Sequence, residues 1–107
     1  AHGRSPVSGA VDLDQIQAQV EGWTHRFRPA GEGANPMADA LIVAEEAGEV
    51  CRAVLKRAHG LRPDTDWEAQ LYEEIGDVAI ALLSLCANEG WSLAEIISSR
   101  WAEVSTR

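Results

Sequence analysis

Two short acidic segments, 28 residues apart, share one pattern of residue types. The first runs from Glu45 to Val50 and the second from Glu73 to Val78; each has three carboxylates and one glycine before a final valine. On a helix, like charges four residues apart and an internal glycine both reduce stability. A sequence that breaks both local rules twice, in the same way, indicates a functional site.

The spacing of the acidic residues predicts that the two segments meet. Residues 60–63 begin with glycine and end with proline, which marks the end of one helix and a short turn. A short turn between long helices makes an antiparallel hairpin. Glu49 and Glu74 are equally far along the chain from this turn, and so are Glu46 and Asp77. Four carboxylates are therefore expected to converge from two facing helices.

Four converging carboxylates repel one another unless a cation lies between them. An all-oxygen donor set without histidine or thiolate favours a hard ion, Mg²⁺ or alternatively Mn²⁺. A di-iron site would need Glu-x-x-His pairs, which neither segment contains. Protein-bound Mg²⁺ with few side-chain ligands completes its shell with water and substrate phosphates. The segments thus predict metal-assisted phosphoryl or nucleotidyl chemistry.

The elements that position these residues are predicted to be four helices, with no strand. Capping residues and prolines mark the starts, and glycines or prolines mark the ends. The fold class is all-α, of the four-helix-bundle type. Residues 1–11 are expected to be a flexible tail and Ala30 to Asn35 a glycine-rich loop. The first predicted helix follows a cap at Asp12 and ends before Pro29, and the second runs from Pro36 to about His59. The third is capped by Asp64, Thr65 or Asp66 and runs to about Asn88, and the fourth runs from Leu93 to about Val104.

Each long helix has a broad apolar arc, which is expected to form the core. The uncharged segment from Val78 to Ala87 is expected to be almost fully buried. Cys51 and Cys86 lie in apolar helical runs and are expected to be small core residues rather than a disulfide. The apolar arc of the second helix comprises Val43, Ala44, Ala47, Gly48, Val50, Cys51, Val54 and Leu55, and that of the third comprises Leu71, Ile75, Val78, Ala79, Leu82, Leu83, Leu85 and Cys86.

The length and the net charge of the chain limit the functions that it can have. A chain of 107 residues fits one domain, assigned to residues 12–107, with a modest core that an oligomer would enlarge. The net charge of −8 argues against binding a nucleic-acid polymer, but not against binding a nucleotide through a cation. No apolar run approaches ~18 residues and the start lacks a signal-peptide core, so no membrane partner and a cytoplasmic location are expected.

The acidic pattern Glu45-Glu46-x-x-Glu49 followed by Glu74-x-x-Asp77 resembles the signature of the MazG-like group of all-α nucleoside triphosphate pyrophosphohydrolases. The resemblance extends roughly from Leu13 to Val104. It implies Mg²⁺-dependent cleavage between the α and β phosphates of a nucleoside triphosphate, giving a nucleoside monophosphate and pyrophosphate. It also implies a four-helix bundle that functions as a homodimer or a dimer of dimers, and suggests a role in removing unwanted nucleotides.

The resemblance also assigns roles to residues. Glu46, Glu49, Glu74 and Asp77 would be the metal ligands, and Glu46 is counted with the catalytic residues. Glu45 would bind a further metal or act as general base for the attacking water, which suits a carboxylate beside the metal. Glu73 is expected to be solvated.

Candidate substrate contacts follow from position and residue type. For the phosphates they are Lys56, two turns beyond Glu49, and Arg100, which lies where such proteins often have lysine. For the base they are Trp23 and His25, before the glycine-rich loop, and Asn88 on the acidic arc of the third helix.

Three other interpretations stay open from the sequence. One is a phosphoribosyl-ATP pyrophosphohydrolase or a deoxynucleotide-specific enzyme of the same superfamily. Another is a non-catalytic helical interaction module, whose acidic faces are solvated or serve for docking. The last is a metal-binding four-helix protein without hydrolase activity.

Overall fold

The computed structural model describes residues 11–27 and 35–107, and over these residues the fold is all-α. The predicted tail at residues 1–11, apart from Val11, and most of the predicted glycine-rich loop lie outside the described residues. The four helices are α1 (Leu13–Phe27), α2 (Pro36–Ala58), α3 (Trp67–Glu89) and α4 (Leu93–Val104). The prediction of four helices without strands is thereby confirmed for the described part of the chain.

Local sequence signals set the helix starts. The side chains of Asn35, Asp66 and Ser92 accept hydrogen bonds from backbone N–H groups three residues on, at 3.0 to 3.2 Å. Asp12 does the same for α1, at 3.1 Å from the N–H of Gln15. Each cap satisfies one of the donors that a first helical turn leaves unpaired. The starts of α2, α3 and α4 were therefore readable from short polar residues before apolar runs.

The turn between α2 and α3 makes the hairpin that positions the acidic segments. Gly60 and Arg62 both have positive φ, 63° and 49°, so the chain reverses within a few residues. The indole N–H of Trp67, which is buried, donates to the carbonyl oxygen of Leu61 and holds the turn against the start of α3. α2 and α3 then pack along their lengths as an antiparallel pair.

The first helix fastens the turn that leads into α4. The Gln17 amide donates to the carbonyl oxygen of Trp91 at 2.6 Å and accepts from the N–H of Leu93 at 3.0 Å. Ser92 adds a hydrogen bond to Asp14 at 2.7 Å. α1 also packs against α3, whereas α2 contacts α3 alone among the described helices.

The buried core is smaller than the apolar arcs predict. Two predictions are wrong for the single chain: Cys51 is exposed, and the segment from Val78 to Ala87 is only partly buried, with Ala79 and Ile80 exposed. For Cys51 the physical reason is that α2 has one neighbouring helix among those described, so the outer part of its apolar arc has nothing to pack against. For Ala79 and Ile80 it is that the three helices in contact with α3 leave part of its surface uncovered. Within the described residues the buried apolar side chains are Ala53, Trp67, Ala81, Leu83 and Cys86.

None of the described helices is, by itself, long and apolar enough to cross a membrane. The pair of α3 and α4 passes the same test of length and composition only when joined across a bend of 104°.

Candidate active site

The hairpin brings three of the predicted ligands together. Glu46 projects from α2, and Glu74 and Asp77 project from α3, with one carboxylate oxygen of each within 4.8 Å of the others. Glu46 and Glu74 are half-buried and Asp77 is exposed. Glu46 and Asp77 are equidistant from the turn, and Glu74 lies almost one helical turn before Asp77 on the same side of α3. We call these three residues the acid cluster.

The acid cluster suits a hard divalent cation. All three donors are carboxylate oxygens, which Mg²⁺ and Mn²⁺ prefer. In an octahedral Mg²⁺ site with ligands ~2.1 Å from the ion, adjacent ligands are ~3 Å apart, so donors that lie within 4.8 Å of one another would move closer together on binding. Three protein ligands also leave positions open for water and phosphate oxygens.

The pKa of Glu46 shows that the ionised carboxylate is destabilised in this arrangement. Partial burial raises the pKa of the Glu46 carboxyl above its ordinary value, and the nearby carboxylates of Asp77, Glu74, Glu45 and Glu49 raise it further. Both effects disfavour the ionised form. A bound cation would reverse the second effect, because a positive charge favours the carboxylate.

Glu49, the fourth predicted ligand, lies outside the acid cluster. Its carboxylate is 3.6 Å from the guanidinium of Arg52, one turn further along α2. Both side chains are close to half exposed, and an exposed ion pair at this distance contributes little to stability. Arg52, three residues after Glu49 on the same helix, was not among the predicted site residues.

Glu45 and Glu73 both lie beside the acid cluster and are exposed. Glu45 is near enough to contribute to the raised pKa of Glu46. Glu73 is exposed and is not a member of the cluster that its neighbour Glu74 joins. The two exposed acids therefore differ in their relation to the site.

A glutamine that the sequence analysis passed over contacts the cluster directly. The Gln70 side-chain amide donates a hydrogen bond to Oε1 of Glu74 at 2.9 Å. Gln70 precedes Glu74 by four residues, a spacing at which helical side chains meet. That spacing was the available signal.

The two candidate phosphate ligands have different surroundings. Lys56 is half-buried and lines a shallow pocket of about 360 Å³ on the outer side of α2. Arg52 and His59 line the same pocket, whose remaining lining is mostly apolar and includes Leu55 and Leu61. Arg100 instead forms an exposed ion pair with Glu103 at 3.1 Å.

Trp23, one of the candidate base contacts, lies in a groove near the acid cluster. Trp23 lines a groove of about 280 Å³ between α1 and α3, together with Ile16, Gln19, Val20 and Ile80. Ile80 is one turn beyond Asp77, so this groove borders the acid cluster. Trp23 keeps 54% of its surface exposed. The side chain of His25 lies outside the described part of the structure.

Asn88 is held in a contact of its own. Its amide donates to Oδ2 of Asp39 at 2.7 Å and so links the end of α3 to the start of α2. Asn88 follows Asp77 by eleven residues, or ~16 Å along the helix axis at 1.5 Å per residue. This distance and this contact make Asn88 a structural link, and Trp23 the better-placed of the two residues for a base.

Comparison with known families agrees with the geometry. The model of the MazG nucleotide pyrophosphohydrolase domain matches residues 35–107, which is more than half of the chain. The chain belongs to the MazG family. Membership implies a nucleotide pyrophosphohydrolase, and enzymes of the MazG family depend on divalent metal. The matched segment contains the whole hairpin, with every residue of the acid cluster, and α4. No curated protein and no solved structure matches the chain significantly.

Proposed function

We propose that this MazG-family chain is a Mg²⁺-dependent nucleoside triphosphate pyrophosphohydrolase. It cleaves between the α and β phosphates and releases a nucleoside monophosphate and pyrophosphate. The observation that carries the proposal is the convergence of Glu46, Glu74 and Asp77 from two helices. Removal of unwanted nucleotides is the role that such a reaction serves best.

The residues in and beside the acid cluster have different roles in the proposed reaction. Glu46, Glu74 and Asp77 hold the cation, which when bound offsets the phosphate charge and makes water more acidic. Glu45 is exposed next to Glu46, so it can accept the proton of the attacking water. Cleavage breaks the bond between the attacked phosphorus and the bridging oxygen of the phosphoanhydride. The oxygen of water becomes part of the attacked phosphate, and the bridging oxygen leaves with the other product.

The triphosphate chain extends from the acid cluster toward Lys56. Lys56 follows Glu46 by ten residues, ~15 Å along α2, which suits contact with the phosphate furthest from the acid cluster. The loose ion pair of Arg52 with Glu49 can exchange its carboxylate for a phosphate oxygen, because Arg binds both in the same fork geometry. Glu49 is thereby freed to approach the cation as a fourth ligand.

The nucleobase fits the groove between α1 and α3. Its lining is apolar except for Gln19, and the exposed indole of Trp23 provides a flat surface for stacking. Gln19 supplies an amide that can form a hydrogen bond with a base edge. The groove lies on the Asp77 side of α3, so a base in it keeps its phosphates near the cluster.

A second copy of the chain completes the fold as a homodimer or a dimer of dimers. The apolar arcs that remain exposed include Leu55, at 56% exposure on α2, and Ile75, at 55% on α3. A soluble protein rarely exposes contiguous large apolar residues unless another surface covers them. Sedimentation velocity should therefore show more than one chain per particle. Leu41→Glu, at a residue of α2 that is 68% exposed and does not line the pocket of Lys56, should shift the protein toward the single chain.

The test of the reaction is product analysis with a panel of nucleoside and deoxynucleoside triphosphates and Mg²⁺, with phosphoribosyl-ATP included. We expect nucleoside monophosphate and pyrophosphate in equal amounts, and no turnover after chelation. Asp77→Asn should lower kcat/KM by at least ~100-fold, since loss of one donor in a three-carboxylate site weakens the metal clamp.

Glu73→Gln is the matched control, because it removes one carboxylate from the same helix without touching the acid cluster. It should leave kcat/KM within about twofold, as for an exposed charge whose removal changes no metal contact. Release of orthophosphate would mean that a different bond is cleaved. Absence of turnover of every nucleotide would favour the non-catalytic interpretations.

A further inference from the structure

The contact between Gln70 and Glu74 has a consequence for the acid cluster. Gln70 lies on α3 one turn before Glu74 and is half-buried. Its amide Nε2 donates to Oε1 of Glu74 at 2.9 Å, a normal length for a hydrogen bond. The donor is neutral, so it orients the carboxylate without a positive charge that would compete with a cation.

Glu74 needs such an anchor. The last torsion of a glutamate side chain has a broad energy minimum, so a free carboxylate turns easily. Repulsion from Glu46 and Asp77, whose carboxylate oxygens lie within 4.8 Å, drives it away from the cluster. A hydrogen bond on one oxygen limits that movement and leaves the other oxygen available.

We infer that Gln70 is a positioning residue for the metal site: its hydrogen bond holds the Glu74 carboxylate in the orientation that binds the cation. This inference rests on the proposed metal site. Residues that hydrogen-bond to metal ligands orient them, and their loss typically lowers metal affinity or activity 10- to 100-fold. Gln70 makes its contact through Glu74 and is assigned no contact with the substrate.

A merely structural role for Gln70 has a different signature. Side chains four residues apart on a helix stabilise the helix itself, with or without a metal. Loss of such a pair would lower the stability of the metal-free chain and leave its intrinsic metal affinity unchanged. Metal affinity and metal-free stability, measured separately, therefore distinguish the two roles.

The experiment compares Gln70→Met with the parent chain and with Gln15→Met. Methionine keeps the length and helix propensity of glutamine but cannot donate the hydrogen bond. Gln15 is exposed on α1 and uses only its backbone N–H in its contact with Asp12, so Gln15→Met is the matched control. The probe is Mn²⁺ without nucleotide; its affinity is measured by the paramagnetic resonance of free Mn²⁺ and stability by thermal unfolding in EDTA.

We expect Gln70→Met to bind Mn²⁺ at least ~10-fold more weakly than the parent, with its unfolding midpoint in EDTA almost unchanged. Excess Mn²⁺ should restore its turnover to near the parent value. Gln15→Met should match the parent in affinity and in stability.

The outcomes separate this inference from the proposed function. Unchanged or tighter Mn²⁺ binding by Gln70→Met, while the parent binds Mn²⁺ and turns over nucleotide, overturns the role of Gln70 alone. The role of Gln70 is also overturned if Gln70→Met lowers the unfolding midpoint in EDTA by as much as it lowers the midpoint with Mn²⁺. No Mn²⁺ binding by the parent overturns both the metal site and the role of Gln70.

Discussion

Replacing the helical glycines of the two acidic segments with alanine should stabilise the chain. Gly48 lies inside α2 and Gly76 inside α3. Glycine inside a helix can allow another backbone or a ligand to approach closely, in which case an added methyl group would clash. In the structure, a Cβ added at either position meets no atom within 4 Å. The space beside both glycines is therefore open in the single chain.

The magnitude follows from this open space. With no steric penalty, the change in stability is the difference in helix propensity, ~0.8–1 kcal/mol in favour of alanine at each site. For a domain of this size that difference raises the unfolding midpoint by ~4–8 °C. Because a Cβ added at either site meets no atom of the facing helix within 4 Å, the double variant should show roughly the sum.

The assay is thermal unfolding in EDTA, without nucleotide and at the lowest protein concentration that gives a signal. A lower midpoint for either variant under these conditions would refute the open space described beside that glycine. A gain in dilute protein that becomes a loss at high concentration would place that glycine in the contact between copies. A raised KM for Gly76→Ala alone would indicate that the substrate uses the space beside α3.

The remaining predictions concern charge and the ends of the hairpin. Glu46→Gln should raise the stability of the metal-free protein at neutral pH, because it removes the carboxylate that its neighbours destabilise. The same change should abolish the stabilisation of the protein by Mn²⁺. Thermal unfolding with EDTA measures the first effect, and unfolding with Mn²⁺ measures the second. Relative to Glu46→Gln, the metal-free parent should gain stability as the pH falls through the raised pKa of Glu46, because the folded state binds more protons than the unfolded state in that range. The gain in stability should level off below the ordinary pKa of glutamate. Urea unfolding at a series of pH values tests this prediction. Asn88→Ala should cost about 1 kcal/mol by loss of its half-buried hydrogen bond to Asp39, with KM unchanged; a raised KM would return Asn88 to the base site.

Features that depend on neighbouring residues were predictable from the sequence. The caps at Asn35 and Ser92 need only a short polar side chain and a backbone N–H three residues away. For α3 the sequence left Asp64, Thr65 and Asp66 as alternatives, and the structure has Asp66. The meeting of Glu46 with Asp77 needs only the position of the turn and a constant helical rise. Both follow from local geometry, so one sequence is enough.

Features that depend on which helix lies beside a residue were not predictable in the same way. A helical projection groups Cys51 with Val50 on one apolar arc, but only the packing of α2 against α3 decides that Cys51 is exposed. Ala81 shows the converse: it falls on the acidic arc of α3 and is buried. An arc gives directions around one helix and does not name the neighbour in each direction.

Side-chain pairing decided the details of the site. Glu49 and Glu46 occupy comparable positions in the acidic pattern, yet Glu49 is paired with Arg52 and Glu46 joins the cluster. Gln70 was open to prediction because it precedes Glu74 by one turn, but many residues at that spacing make no such contact. A choice among several permitted side-chain partners requires coordinates.

The central claim is that Glu46, Glu74 and Asp77 together hold a divalent cation. The most direct measurement is a crystal structure of the protein grown with Mn²⁺, with anomalous differences collected to locate the ion. The account predicts a peak about 2.1 Å from a carboxylate oxygen of each of the three residues, the distance expected for such a hard-ion site. Bound Mn²⁺ elsewhere, with no peak between these carboxylates, would contradict it.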